Sequence, residues 1–310
     1  MALPNIETMT LGRPVNRLGI SFIPVYLMTN ALPDIATGDD SGLEVNELDS
    51  PEVATLSVAN PTHRPILAIQ GEQLVGGDQN RTLNVSVLIP PLGRRQVPVS
   101  CLEQGRWGNR RNFARGSAIA PNSVRMTLLR SVGASACGAQ SSQESDQGRV
   151  WEDVRGELQT RGVISQNQAM ADADDAPMLQ DPERNAAANE LTKLGPLPGQ
   201  CGLVVAHRNR AVSADIMGSP ALFAAHWERL VRAHLSERVS TQAPGQSPLE
   251  WDAAVGPALR ILTRMSMESR RPLDAVGMGN EHHVEGKGYV GHALTLGNAT
   301  VHAVACFTGS

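Results

Sequence analysis

Between Leu43 and Glu103 the chain is a succession of short apolar runs, each closed by a turn signal, and no other feature constrains the fold as strongly. "EVATLSVANP" sets Val53, Thr55 and Ser57 on one face and Ala54, Leu56 and Val58 on the other, and Asn60-Pro61 ends it. "RTLNVSVLIPP" alternates Leu83, Val85, Val87 and Ile89 against Thr82, Asn84, Ser86 and Leu88. "LEVNEL", "RPILAIQGEQLVGG" and "QVPVSCLE" complete the series. Period-two runs at even spacing with short turns predict an antiparallel sandwich or a partly closed barrel. The earlier run "LGISFIPVYLM" is strand-like but holds Pro24, which predicts an edge or bulged strand.

Past residue 109 the pattern changes. Residues 109–149 are rich in small and polar side chains and read as a flexible excursion, ordered in part by Val124, Met126 and Leu128. Val150, Trp151, Val154 and Leu158 then form a helical stripe that stops at Gly162. "AAANELTKLG" is compatible with a helix to Gly195, and "CGLVVAHRNRAVSADIMG" reads as a hairpin turning at Arg208-Asn209. The strongest helix starts at Pro220 with Ser219 as its cap. Leu222, Phe223, Trp227, Leu230, Val231 and Leu235 share its apolar face, and Arg229, Arg232 and Glu237 are expected at the surface. "LEWDAAVGPALRILTRMSME" predicts another helix, and the end is a hairpin turning at Gly297-Asn298. The fold expected is α+β: an antiparallel strand-rich N-terminal half, a helical middle, and C-terminal strands packed with two or three helices. The whole chain, 1–310, reads as one module, with room for two lobes, 1–108 and 150–310, joined by a flexible 109–149.

Composition narrows the function classes. A formal charge of -4, from 27 basic and 31 acidic residues, gives no electrostatic case for general nucleic-acid binding. Local basic clusters such as Arg106, Arg110, Arg111 and Arg115 are exceptions to that balance. No run of about 18 apolar residues suggests a membrane span. The four cysteines include no CxxC pair, so a thiolate zinc site has no support. The opening residues lack a signal-peptide pattern, and a reduced cytoplasmic setting is the expectation.

Two segments carry most of the chemistry. In "GEQLVGGDQNRTL", adjacent glycines let backbone N–H groups approach an anion, and Gln79, Asn80 and Arg81 could read carbonyls or phosphate. The alternative is a glycine hairpin whose polar residues satisfy local backbone. In "CLEQGRW", Cys101 is a nucleophile if a neighbour lowers its pKa, and Glu103 is a general acid or base on the same strand face. Gln104 and Arg106 could hold a carbonyl or anion, and Trp107 could stack. The alternative is a buried cysteine and a structural Glu–Arg corner. His282-His283, with Glu281 and Glu285 beside them, form the densest histidine group. Adjacent histidines on a strand face opposite ways and no HExxH occurs, so no metal is expected there. His302 lies among Val301, Val304 and Phe307 and reads as a satisfied core histidine or a buried base.

Taken together, "ILAIQGEQLVGGDQNRTLNVSVLIPP", "VPVSCLEQGRW", "GLVVAHRNRAVSADIMGSPALFAAHWERLV" and "GYVGHALTLGNATVHAVACF" resemble the ADP-ribosylglycohydrolase- and rhodanese/phosphatase-associated domain family over roughly residues 40 to 307. The matching positions are Glu72, Gln79, Asn80 and Arg81, then Cys101, Glu103, Gln104, Arg106 and Trp107, with Asp215 and His302 later. The serine-, glycine- and arginine-rich stretch after Trp107 is a departure. The resemblance implies a role near NAD or ADP-ribose metabolism, by association rather than by a demonstrated site. Two readings stand side by side. In one, an enzyme or nucleotide-binding domain takes an ADP-ribose-like ligand: Glu103 is the acid or base, Arg81 and Arg106 hold phosphate, and Trp107 stacks. In the other, a non-catalytic binding or assembly module uses EQGRW as an internal corner. No particular cofactor is implied.

Overall fold

The computed structural model describes residues 3–4, 6, 8–28, 32–105, 112–136, 143–174, 176–208, 210–237, 255–256, 259–260, 262–265 and 272–308. Among these, the N-terminal strands are β1 (Thr10–Leu11), β2 (Val15–Arg17), β3 (Ile20–Tyr26), β4 (Ala36–Thr37), β5 (Glu44–Asn46) and β6 (Thr55–Ala59). Next come β7 (Ile66–Ala68), β8 (Glu72–Gly76), β9 (Arg81–Leu83), β10 (Val87–Ile89), β11 (Arg94–Cys101) and β12 (Phe113–Ile119). The helical middle holds α1 (Asn122–Ala136), α2 (Gln147–Arg161), α3 (Met170–Asp174), α4 (Ala176–Gln180) and α5 (Pro182–Leu194). The hairpin β13 (Gly202–His207) and β14 (Arg210–Met217) leads to α6 (Pro220–Ser236). The chain closes with β15 (Leu273–Asp274), β16 (Asn280–Gly286), β17 (Tyr289–Leu296) and β18 (Ala299–Phe307).

The fold is α+β with antiparallel sheets, apart from the short parallel pair β4–β7. The largest sheet has the order β1-β3-β13-β14-β18-β17-β16-β15, with β2 also on β3. A six-stranded sheet runs β12-β8-β9-β11-β6-β5, and a three-stranded one runs β10-β7-β4. The large sheet is covered on both faces. Ile23, Val25, Val204, Ile216, Ala303 and Phe307 pack under Leu3, Ile6 and Leu262, while Phe22, Leu203 and Val205 pack with Phe223, Trp227 and Leu230 of α6.

Four expectations change. The Pro24 strand is interior: β3 has β13 on one side and β1 and β2 on the other. The Pro24 carbonyl accepts from Gly12 N–H at 2.8 Å, so its nitrogen faces the same side, where the partner chain breaks off between Leu11 and Val15. A missing N–H is harmless at that gap. The run 81–89 is two strands, β9 and β10, in different sheets. Its nine residues are all buried, so alternation could not mark the break. The stretch 109–149 carries β12 and α1, and a partition at residue 108 does not follow the sheets, because β1–β3 belong with β13–β18. Finally, Arg229 is buried: a bulge in β12 between Arg115 and Ile119 leaves the Gly116 carbonyl to accept from Arg229 Nε at 2.8 Å, and Nη2 pairs with Asp39 at 2.5 Å.

Arg232 and Glu237, also expected at the surface, are half-buried, Glu237 between His207 and His234; the helix boundaries expected from the sequence hold for α2 and α6. Asp146 and Gly162 bound α2, with Gly162 left-handed at φ 67. Ser219 Oγ accepts from Leu222 N–H at the start of α6, and buried Trp227 donates its indole N–H to Leu191 O at 2.8 Å. Residues 249–268, read as a helix, lie mainly outside the described residues.

Helix α1 fixes the geometry that matters below. It crosses one face of the large sheet, with residues four apart meeting successive strands. Arg125 bonds Asp215 on β14, Leu129 packs on Val304 and Val290 of β18 and β17, and Gly133 faces His283 on β16.

Candidate functional site

The two motif segments converge. Strand β9 pairs with β11 so that Arg81 lies opposite Cys101. The turn between β8 and β9 needs glycine: Gly77 has φ +51, and a Cβ there would collide with the Phe113 ring. The turn then places Asn80 Oδ1 to accept from Gly76 N–H at 3.0 Å, and Asn80 O to accept from Leu102 N–H at 2.9 Å. Glu103, 1% exposed, accepts from Asn80 N–H at 3.1 Å and from the Asn167 side-chain amide. The Asn167 carbonyl in turn accepts from Gln104 and Gly105 N–H, each at 3.1 Å. Gln147 clasps the Cys101 backbone on both its N–H and its carbonyl. Gln79 Oε1 accepts from Arg81 Nη1 at 3.1 Å and from the Cys101 thiol at 3.2 Å.

The corner's electrostatics are uneven. Burial pushes the Cys101 thiol up; Arg81 opposes this, while Glu47 and Glu103 add to it, so the thiol stays protonated at neutral pH. That disfavours the nucleophile reading. Arg81 is 2% exposed, its Nε has no hydrogen-bond partner, and no ion pair joins it to a carboxylate among the described residues. Gln104 and Gly105, at the end of the same segment, are exposed, so the corner reaches the surface. Arg106 and Trp107 lie outside the described residues.

Glu72, Asp215 and His302 belong to a second assembly. Arg125 clamps Asp215 through two bonds of 2.9 and 2.6 Å and donates from Nε to Gln70 Oε1 at 3.0 Å. His302 Nδ1 meets Ser86 Oγ at 2.7 Å, and His302 Nε2 stands 3.5 Å from Asp215 Oδ1. Ser86 Oγ also accepts from Gln70 N–H at 3.0 Å. Glu72 pairs with Arg115 at 2.5 Å and accepts from Ile69 N–H. Burial opposes the charge on Asp215, but Arg125 and His302 prevail and hold its carboxyl far below the usual carboxylate range. Burial lowers His302 more than Asp215 raises it, leaving a neutral imidazole. The arrangement sets a serine hydroxyl, an imidazole and a carboxylate in line, with His302 Nε2 making no hydrogen bond and only approaching Asp215. Ser86 and His302 are completely buried, so in this state the line joins β18 to the loop before β10.

Sequence reasoning missed Gln70, Ser86, Arg125, Gln147 and Asn167. Arg125 alone carried a readable signal: it falls on the stripe of Leu128, Leu129 and Val132, where a helix presents its apolar face. The others are polar residues in turns and loops, or at the first position of α2 in the case of Gln147, and only tertiary contacts select them.

The family model described as the ARG and Rhodanese-Phosphatase-superfamily-associated Protein domain matches residues 8–306. No curated protein and no solved structure matches the chain significantly. The family match extends over both assemblies.

Proposed function

From the premise that the chain belongs to the ARG and Rhodanese-Phosphatase-superfamily-associated Protein domain family, we propose that it binds an ADP-ribose-like small molecule through Arg81. The observation that carries this reading is the buried Arg81 guanidinium, which donates to neutral Gln79 and has Nε unused. A buried charge without a counter-charge costs several kcal/mol, and an anion offsets that cost. A phosphate or diphosphate suits the planar donors of arginine, because two parallel N–H bonds can form at once. The exposed Gln104 and Gly105 give a ligand an approach to the corner. The family description supplies the ligand class, with ARG taken as ADP-ribosylglycohydrolase. Within this reading Glu103 is a positioning residue: it holds the Asn80 backbone and Asn167 in register, which is the structural-corner alternative applied to that residue alone.

Thermal shift and calorimetry with ADP-ribose, NAD, AMP and inorganic pyrophosphate test the reading. ADP-ribose is expected to raise the melting temperature, since a ligand bound only by the native state stabilises it. Arg81→Gln should weaken binding by about tenfold to a hundredfold, the value of a charged hydrogen bond. Arg81→Lys keeps the charge, serves if the glutamine variant does not fold, and should also bind more weakly. No response to any of the four compounds, or full affinity in a folded Arg81 variant, overturns the proposal.

A further inference from the structure

Strands β16 and β17 place His283 directly opposite His292, and Glu281 lies two residues before His283 on the same face. One ligand atom from each of the three lies within 4.8 Å of the others, and all three side chains are buried. Glu281 Oε2 is 3.1 Å from His283 Nε2 and 3.9 Å from His292 Nε2. The second distance is too long for a hydrogen bond. His292 is 1% exposed, and neither of its ring nitrogens has a hydrogen-bond partner. His283 Nδ1 is also without one. A buried imidazole left unsatisfied at both nitrogens is costly, and such a group calls for a partner.

We propose that Glu281, His283 and His292 form a divalent transition-metal site, with Zn²⁺ the fitting ion. Donors bound to zinc at 2.0–2.2 Å in tetrahedral geometry sit about 3.4 Å apart, a spacing bracketed by the two distances to Glu281. Two imidazole nitrogens and one carboxylate oxygen are a usual donor set for zinc with one position left open, and also for non-haem Fe(II). Glu281 Oε1 accepts from Val276 N–H at 3.3 Å, which orients the carboxylate.

An opening also exists. His283 lines a cavity of about 220 Å³ together with Leu129, Gly133, Ala134, Glu285 and Val290. Gly133 stands in the last turn of α1. A Cβ at Gly133 would come within 3.7 Å of His283 Cβ and fill part of the space over the ring. The cavity borders the site on its His283 side. The expectation that His282-His283 hold no metal treated those two residues alone, and His282 faces away and bonds Thr295. It overlooked His292, nine residues on, because only the β16–β17 register makes the two rings neighbours at 5.1 Å. None of these residues takes part in the Arg81 corner.

The test uses the full chain, untagged and stripped with a chelator, titrated with ZnCl₂ by calorimetry and with CoCl₂ by visible absorption. One ion per chain is expected, with the intense visible bands of low-coordinate nitrogen- and oxygen-ligated Co²⁺. His292→Gln and Glu281→Gln should each weaken Zn²⁺ binding by about 100-fold or more, at or beyond what loss of a supporting residue costs. His63→Ala, an exposed histidine, should bind as the parent does. Absence of stoichiometric binding, a weak octahedral Co²⁺ spectrum, or equal affinity in a folded His292→Gln variant overturns the proposal. If that variant does not fold, the Co²⁺ spectrum of the unaltered protein decides.

Discussion

Asp215→Asn isolates the most consequential interaction in the molecule. The substitution keeps the shape of the side chain and removes the charge that Arg125 faces through two hydrogen bonds. Both side chains are 2% exposed, so water cannot replace the lost partner. An ion left unpaired at such depth costs about 3–5 kcal/mol. With about 2.1 cal/mol/K of unfolding entropy per residue, a chain of this length has about 0.65 kcal/mol/K, so the melting temperature should fall by about 5–8 °C. Differential scanning calorimetry at neutral pH measures it. The dependence on acidity follows from the depressed Asp215 pKa. A carboxyl lowered on folding stabilises fully above its unfolded pKa of about 3.9 and loses that contribution as the pH falls below it. The gap between the parent and Asp215→Asn should therefore be constant from pH 5 to 7, by the same linkage, and shrink below about pH 4. Replacing both partners, Arg125→Met with Asp215→Leu, should recover much of the loss, because a buried pair exchanged for apolar side chains is often neutral. A drop under about 2 °C in Asp215→Asn would refute the premise that the pair is desolvated and matched.

Cys101 should resist iodoacetamide in the folded protein and react at least about 100-fold faster in urea, since only the accessible thiolate attacks; peptide mapping gives both rates, and similar rates would mean that the thiol is open. Gly77→Ala should lower the urea midpoint by an amount worth about 1–3 kcal/mol, because alanine is strained at φ +51 and its Cβ overlaps Phe113; an unchanged midpoint would show that the turn has other conformations available.

The elements legible from periodicity were those with one buried face. Helix α6 is the clearest case: its apolar stripe, Ser219 and Pro220 mark it without tertiary help, and Trp227 is buried as its position predicts. The β13–β14 and β17–β18 hairpins are covered on both faces and were visible for a different reason, as apolar runs around short polar turns. Periodicity fails where both faces are covered, as over Arg81–Ile89, and where a buried charge compensates a backbone irregularity, as Arg229 does at the β12 bulge. The site divides similarly. Residues on one turn and its neighbouring strand, Gln79 to Arg81 with Cys101 to Glu103, lie together because β9 pairs with β11. Glu72 belongs by sequence to the same motif, yet its carboxylate pairs with Arg115 among the groups near His302, because the strand carries it away from the turn. No local pattern announces Ser86 beside His302, or His283 beside His292. Those pairings come from strand order, which a linear reading does not contain.

Strand β3 has a consequence for how the molecule is made. Its long neighbour β13 begins only at Gly202, with about 180 residues translated between the two, and β18 follows a further stretch on. At 5–20 residues per second, roughly 10–40 s pass before β13 leaves the ribosome. During that interval Phe22, Ile23 and Val25 have only the two short strands β1 and β2 to pair with, and the opposite edge of β3 is bare. An unpaired apolar edge of this kind recruits other strands, including those of neighbouring nascent chains. The large sheet therefore cannot be completed before β13 and β18 have been synthesised, and β3 stays open to such pairing until then.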